Sequence, residues 1–240
     1  MVRTTAFTRL EVSYHGIPAH AAASPWKGIN ALDALVLAYN SISVLRQQTH
    51  PTDIISMSIT DGGGQATNVI HPFASGVCTL RAATTSNLTS LTSKITACFN
   101  SAGLATGAKV AIKTIPGYLD HVPNAILAKS YKQYWTSLPN IPLPPIPPEG
   151  EYTFVKASTD QGNLSHAMPS INASFAIPPG PLKGQPHSAD FEKASGRREA
   201  FDVALRVGKA LAGTAVDVLS KEGMLEEVKR QWRRDMEEMG

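Results

Sequence analysis

The 240-residue sequence predicts an α/β protein in two unequal parts. An α+β domain of ferredoxin-like β-α-β-β-α-β order is expected over residues 8–117, followed by an incomplete α/β domain over residues 118–240 that ends in helices. Two observations carry the first part. Four segments alternate apolar and polar residues, and two longer ones place apolar residues at three- and four-residue spacing. A third observation carries the second part: beyond Gly117 only about one segment reads as a strand, too little to form a sheet of its own.

The elements of the first part follow in order. "RLEVSYHG" alternates Leu10, Val12 and Tyr14 with Arg9, Glu11 and Ser13, the pattern of a strand with one apolar face. "GINALDALVLAYNSISVLRQQ" sets Ile29, Leu32, Val36, Tyr39 and Ile42 at helical spacing, so these side chains are expected on the core side of a first helix. "DIISMSITDGG" alternates Ile55, Met57 and Ile59 with Ser56, Ser58 and Thr60, then meets a glycine-rich turn. "FASGVCTLRAA" pairs with it most simply as a hairpin. A second helix carries Leu88, Leu91, Ile95 and Phe99 on one face, and "AKVAIKTI" closes the series. Because each strand has a single apolar face, both helices are expected on one side of a four-stranded antiparallel sheet.

In the second part "NAILAKSYKQYWTSL" reads as a helix. The proline-rich loop 139–150 is either a PPII ligand for an SH3-like partner or a stiff surface connection, and the second reading is preferred. A short loop "STDQGN", a strand-like run "SINASFAI" and a loop "PHSADF" lead to an alanine-rich helix from about Arg197 to Leu219. Gly223 interrupts it before a last, charged helix.

Composition excludes several classes. A net charge of +3 with scattered basic residues does not suit nucleic acid. No run of about 18 apolar residues is present, so no membrane-spanning helix is expected. The N-terminal residues "MVRTTAFTRLEV" lack the apolar stretch of a secretion signal. Cys78 and Cys98 are too few for a disulfide framework or a thiolate metal site, which suits a reducing, cytoplasmic setting.

Five positions could carry chemistry. His20 stands in a loop stiffened by Pro18 and Pro25, where it is either an ordinary loop histidine or a proton donor and oxyanion stabiliser. Asn68 follows the glycine run "DGGGQAT", which by itself marks a tight turn. Arg81 ends a strand on the face of Val77 and Thr79; such an arginine is usually solvated, yet its planar fork is a natural carboxylate clamp. Asp160 lies in a turn where aspartate is common, and His187 precedes a helix. One histidine does not make a zinc site.

Taken together and in order, these residues are recognisable. The run "YHGIPAHAAASPWKGINALDALVLAYNSISVLRQQ", followed by "DGGGQATNVI" and "LRA", closely resembles the lid, or dimerisation, domain of the zinc aminoacylase and carboxypeptidase family, peptidase family M-20. The later "ASTDQGNLSHAMPSI" and "PHSADFEKASGRREAFDVALRVGKALAGTAVDVL" are similar to the end of that family's catalytic domain, in its dipeptidase-like branch. The resemblance implies that His20 reaches into a partner subunit's active site to stabilise the developing oxyanion. It implies that Asn68 and Arg81 bind the substrate's amide and carboxylate, also from the partner subunit. His187 matches the last ligand of a two-zinc site.

Two departures accompany the resemblance. His71 stands where the family usually has proline, which is expected to shift the loop beside Asn68. The family's HxD ligand motif, bridging Asp and Glu pair precede the lid and are not found in this sequence. The expectation is therefore a metal-dependent hydrolase of the dipeptidase or amidohydrolase type, in a truncated copy inactive by itself. Its substrate would be a small peptide or N-acyl amino acid, and apolar faces are expected to lie exposed within residues 154–219. The alternative is a non-catalytic dimerisation partner that supplies lid residues in trans to a full-length paralogue. Either way the lid is expected to form a homodimer or heterodimer, with no nucleic acid or membrane as partner.

Overall fold

The structure is a computed structural model that describes residues 2–138 and 153–239, so the predicted proline-rich loop 139–150 lies outside the described residues. In chain order the strands and helices begin with β1 (Val2–Thr4), β2 (Ala6–His15), β3 (Ala19–His20), α1 (Ala31–Leu45), β4 (Ile54–Asp61), β5 (Val69–Ile70) and β6 (Phe73–Ala82). Then come α2 (Thr85–Thr106), β7 (Lys109–Pro116), α3 (Ala125–Ser137), β8 (Thr153–Val155), α4 (Gln161–Ala167), α5 (Ala189–Ser195), α6 (Arg198–Ser220) and α7 (Met224–Met239). The chain divides into two compact units. One comprises Thr4–Asp120 with Lys156–Asp160, the other Met1–Arg3, His121–Val155 and Gln161–Gly240.

The first unit contains the segment that the sequence reading expects to be the lid. Its sheet has the order β4-β6-β2-β7 with every neighbouring pair antiparallel, the strand order of a ferredoxin-like domain. Alternation places Leu10, Val12 and Tyr14 of β2 beside Ala74, Cys78 and Leu80 of β6 on one face, where α1 and α2 cover them. The α2 stripe Leu88, Leu91, Ile95 and Phe99 is buried there as its spacing predicts. The Tyr14 hydroxyl donates to the Phe99 carbonyl at 2.8 Å, tying the central strand to α2, and burial pushes its pKa well above the ordinary phenol range. Thr84 caps α2 at its start and Gly107, at φ 78°, ends it in the left-handed conformation that favours glycine.

The stripe expected for α1 is partly wrong. Val36 and Tyr39 face outward, while Ala31, Ala34, Leu35, Ala38 and Ile42 are buried. Three small alanines let the helix approach the sheet closely, and that proximity outweighs the size of the larger residues a turn away. Ile59 of β4 is likewise exposed, because a bulge between Ile59 and Asp61 turns the strand end away from the core.

In the second unit α3 and α6 pack through Tyr131, Trp135, Val207 and Ala210. The buried Asp217 carboxylate of α6 accepts from Ser130 at 2.8 Å, Tyr134 at 2.7 Å and Lys221 at 2.7 Å. These donors, Lys221 first, hold it below the usual carboxylate range. On α7, Trp232 donates to the Ser165 carbonyl at 2.8 Å and the Val228 carbonyl accepts from Asn124 at 3.0 Å.

The sequence reading needs correction here. "SINASFAI" is not a strand: among the described residues no neighbour pairs with it, and an apolar run without a ladder partner stays irregular. The short helices α4 and α5 occupy segments read as loops, because seven residues are too few to display a periodic stripe. Phe201, Leu205, Val216 and Leu219 of α6 are exposed, as expected of residues 154–219, with Leu219 at 88 %.

Candidate functional site

The β2–β6 pairing does not end at the sheet. After His15↔Phe73 it is interrupted by Gly16–Pro18 and His71–Pro72, then resumes as β3–β5, where His20 faces Val69. The result is a short antiparallel arm extending the β2–β6 pair, with the Ala21 amide donating to the Asn68 carbonyl at 3.0 Å. Its root is tightly fixed. Ile17 and Ile29 exchange two hydrogen bonds of 2.9 Å, the Gly16 amide donates to Pro72, and the Ala31 amide donates to His71. His71 thus anchors the arm to the start of α1, and its side chain lies against Gly63. The glycine run is a turn: Gly63 and Gly64 sit at φ 96° and 102°, and Asp61 accepts from the Gly63 amide at 2.7 Å.

His20 is exposed at the tip, yet its ring is held. The backbone amides of Ala22 and Ala23 donate to Nδ1 at 3.2 and 3.1 Å. A nitrogen that accepts two N–H groups carries a lone pair and no proton, so the neutral ring bears its hydrogen on Nε2. The three alanines therefore have a purpose that spacing alone did not reveal: their backbone bends around His20, and their small side chains leave Nε2–H open. A fixed N–H donor of this kind can stabilise negative charge developing on a carbonyl oxygen. Asn68, also exposed, is the turn residue immediately before β5, next to the partner of His20 in the arm.

Arg81 is elsewhere. It pairs with Phe7 and Ile54, eight residues along β6 from Phe73. At about 3.3 Å per residue this puts it about 26 Å from the root of the arm. The structure thus brings His20 and Asn68 together at the arm and places Arg81 at the other end of the β2–β6 pair. At its own end Arg81 donates from Nη1 to the Ser158 hydroxyl at 2.6 Å and lies over the Phe7 ring at 5.0 Å. The Ser158 hydroxyl is also 3.1 Å from that of Thr5, which is fully buried. Sequence reading missed Thr5, Phe7 and Ser158. Phe7 opposite Arg81 was legible only once the strand register was known.

In the other unit His187 is exposed at φ 72°, a left-handed backbone that histidine adopts more readily than most residues. It precedes Ser188, whose hydroxyl caps α5 through the Phe191 amide at 3.2 Å. Asp160, in the lid unit, accepts from the Thr159 hydroxyl at 3.2 Å. A zinc site takes three or four protein donors. Among the described residues no group of three or more His, Cys, Asp or Glu side chains converges, so these donors do not fit the two-zinc centre that the resemblance implies.

Comparison with known proteins agrees with this architecture. Residues 5–106 match the family model of the peptidase dimerisation domain. Over 228 residues the chain is 37 % identical to the Xaa-Arg dipeptidase of Mus musculus and 36 % identical to that of Homo sapiens, covering 95 % of this chain and 51 % of each relative. The chain thus spans about half the length of the curated relatives it matches. The solved structure of the aminopeptidase PepT from Bacillus cereus superposes with a TM-score of 0.62 at 14 % identity, over 90 % of this chain and 53 % of that one, a likeness of fold. With the ferredoxin-like lid, the arm and the dipeptidase relatives in agreement, the chain belongs to peptidase family M-20 and carries its dimerisation domain.

Proposed function

We propose that this chain supplies the lid residues of a metal-dependent dipeptidase of family M-20, and that further polypeptide supplies the metal centre and the general base. The observation that carries the reading is the Nδ1 atom of His20, held by the Ala22 and Ala23 amides so that Nε2–H points outward from a rigid arm. Delivered across a dimer interface, that N–H would meet the oxyanion formed as water adds to the scissile carbonyl. The rigidity of the arm removes the ordering cost of delivery. Asn68 would bind the same substrate's amide. Arg81, at the far end of the sheet, would take the carboxylate of a different substrate molecule, so that in a two-fold dimer each site draws on both lids.

Several observations support docking of the lid. Trp26 beside the arm is 77 % exposed and Ile17 is half exposed, an apolar tip with nothing over it among the described residues. β4 is an edge strand, and Val36, Tyr39 and Val44 of α1 are exposed. The partner is a second copy of this chain or a full-length paralogue. The substrate class is a small peptide or N-acyl amino acid ending in a carboxylate; the names of the dipeptidase relatives favour a dipeptide with C-terminal arginine. The free thiols of Cys78 and Cys98 suit a cytoplasmic setting. No helix among the described residues is long and apolar enough to cross a membrane.

The test is complementation. A full-length Xaa-Arg dipeptidase whose own lid histidine has been replaced is mixed with this chain, and hydrolysis of glycylarginine is followed. The wild-type chain is expected to restore turnover and His20→Ala to leave it lost. Equal restoration by both, or by neither, contradicts the role given to His20. Chelator-sensitive hydrolysis by the purified 240-residue chain alone would contradict the need for further polypeptide.

A further inference from the structure

We propose that Ser158, locked in place by Thr5, is the positioning residue that aims the Arg81 guanidinium at the substrate carboxylate. The proposal rests on reading Arg81 as the carboxylate-binding group. Arginine is a donor only, so in the 2.6 Å contact its Nη1–H donates and the Ser158 oxygen accepts. That fixes the direction of the remaining bonds. The Ser158 proton goes to Thr5 Oγ1, 3.1 Å away, and the Thr5 proton goes to the Ala157 carbonyl, also 3.1 Å away. Each hydroxyl donates once and accepts once, forming a directed chain from the guanidinium to the backbone.

The end of that chain does not move easily. Thr5 is fully buried, and its amide donates to the same Ala157 carbonyl at 3.0 Å. Residues 156–160 accordingly belong to the lid unit although they lie far along the sequence from Arg81. Phe7 supports one face of the guanidinium at 5.0 Å, which restrains the plane but not rotation within it. Rotation is what the Ser158 bond restrains. With one N–H of five engaged there, the fork is turned to present its remaining donors in a set direction, as two-point carboxylate recognition requires.

The test is arginine-selective nitrogen NMR on the full chain, with folding checked by a circular dichroism melt. The wild type is expected to show two resolved Arg81 Nη signals, and Ser158→Ala one averaged signal. Ser158→Thr, which keeps the hydroxyl, restores the pair, and Thr5→Val averages it in part. Glycylarginine, but not its C-terminal amide, is expected to shift the wild-type signals. In Ser158→Ala the apparent affinity is expected to fall roughly tenfold, the scale of a hydrogen bond to a charged group. Two resolved signals and unchanged affinity in Ser158→Ala overturn the proposal. Signals that collapse in Ser158→Ala but never respond to glycylarginine in the wild type overturn instead the reading of Arg81 as a carboxylate group.

Discussion

Replacing Gly16 with Ala sets a methyl group against the backbone at the root of the arm. A Cβ at this position would lie 1.9 Å from the Ile29 carbonyl oxygen and 2.9 Å from its carbon. The closest ordinary carbon–oxygen approach is about 3.3 Å, so the two backbones must separate by about 1.4 Å. That separation lengthens both 2.9 Å Ile17–Ile29 hydrogen bonds beyond bonding distance. Two net hydrogen bonds at about 1 kcal/mol each, with a further 1 kcal/mol or so of strain, give a destabilisation of about 3 kcal/mol. Local opening makes hydrogen exchange the appropriate assay: the Ile17 and Ile29 amides are expected to exchange about a hundredfold faster, while the Phe99 amide in α2 changes little. In the complementation assay a displacement of an ångström or more at His20 should lower turnover about a hundredfold. Unchanged exchange at Ile17 and Ile29 would refute the view that Gly16 is required by close backbone approach.

Phe99→Ala, which empties a fully buried ring site beneath the central strand, is expected to cost about 3–5 kcal/mol in a denaturant titration. Asp217 has its pKa lowered in the folded state, so its contribution is present above the unfolded carboxylate range and is lost as pH falls through the folded value. Denaturant midpoints measured down the acid limb should therefore fall more steeply for the wild type than for Asp217→Asn. Val36→Lys with Tyr39→Lys replaces two exposed residues and should shift stability within about 0.5 kcal/mol per site, yet abolish dimerisation in sedimentation equilibrium at micromolar concentration. Trp26→Ala should leave the melt unchanged while removing the blue shift in tryptophan fluorescence expected when the arm docks, because Trp135 is already buried and Trp232 is already bonded to the Ser165 carbonyl in the other unit.

The lid was legible because its signals are local and mutually consistent. Leu10, Val12 and Tyr14 alternate, Leu88 through Phe99 repeat at helical spacing, and turn residues fall between them. Where α1 was misread, the cause was size. Val36 and Tyr39 are larger than Ala34 and Ala38, but close helix–sheet packing selects small residues, and the period alone did not say which stripe was inward. In the second unit the helices with long stripes were legible, whereas α4 and α5 depend on caps and tertiary neighbours. The candidate site divides in the same way. His20, Asn68 and Arg81 stood out through a family pattern, but their separation along one strand pair follows from register, which a linear sequence does not display. The Ser158–Thr5 chain joins residues 153 apart in sequence and had no local signature.

The most direct test of the role given to His20 is the imidazole nitrogen spectrum of the folded chain, with the His20 signals assigned by comparison with His20→Ala. The geometry predicts a pyridine-like Nδ1 that carries no proton and is coupled to the Ala22 and Ala23 amides, together with a pyrrole-like Nε2 that carries the hydrogen. A protonated Nδ1 would mean that the loop does not hold the ring as described, and that His20 has no fixed Nε2–H to offer an oxyanion.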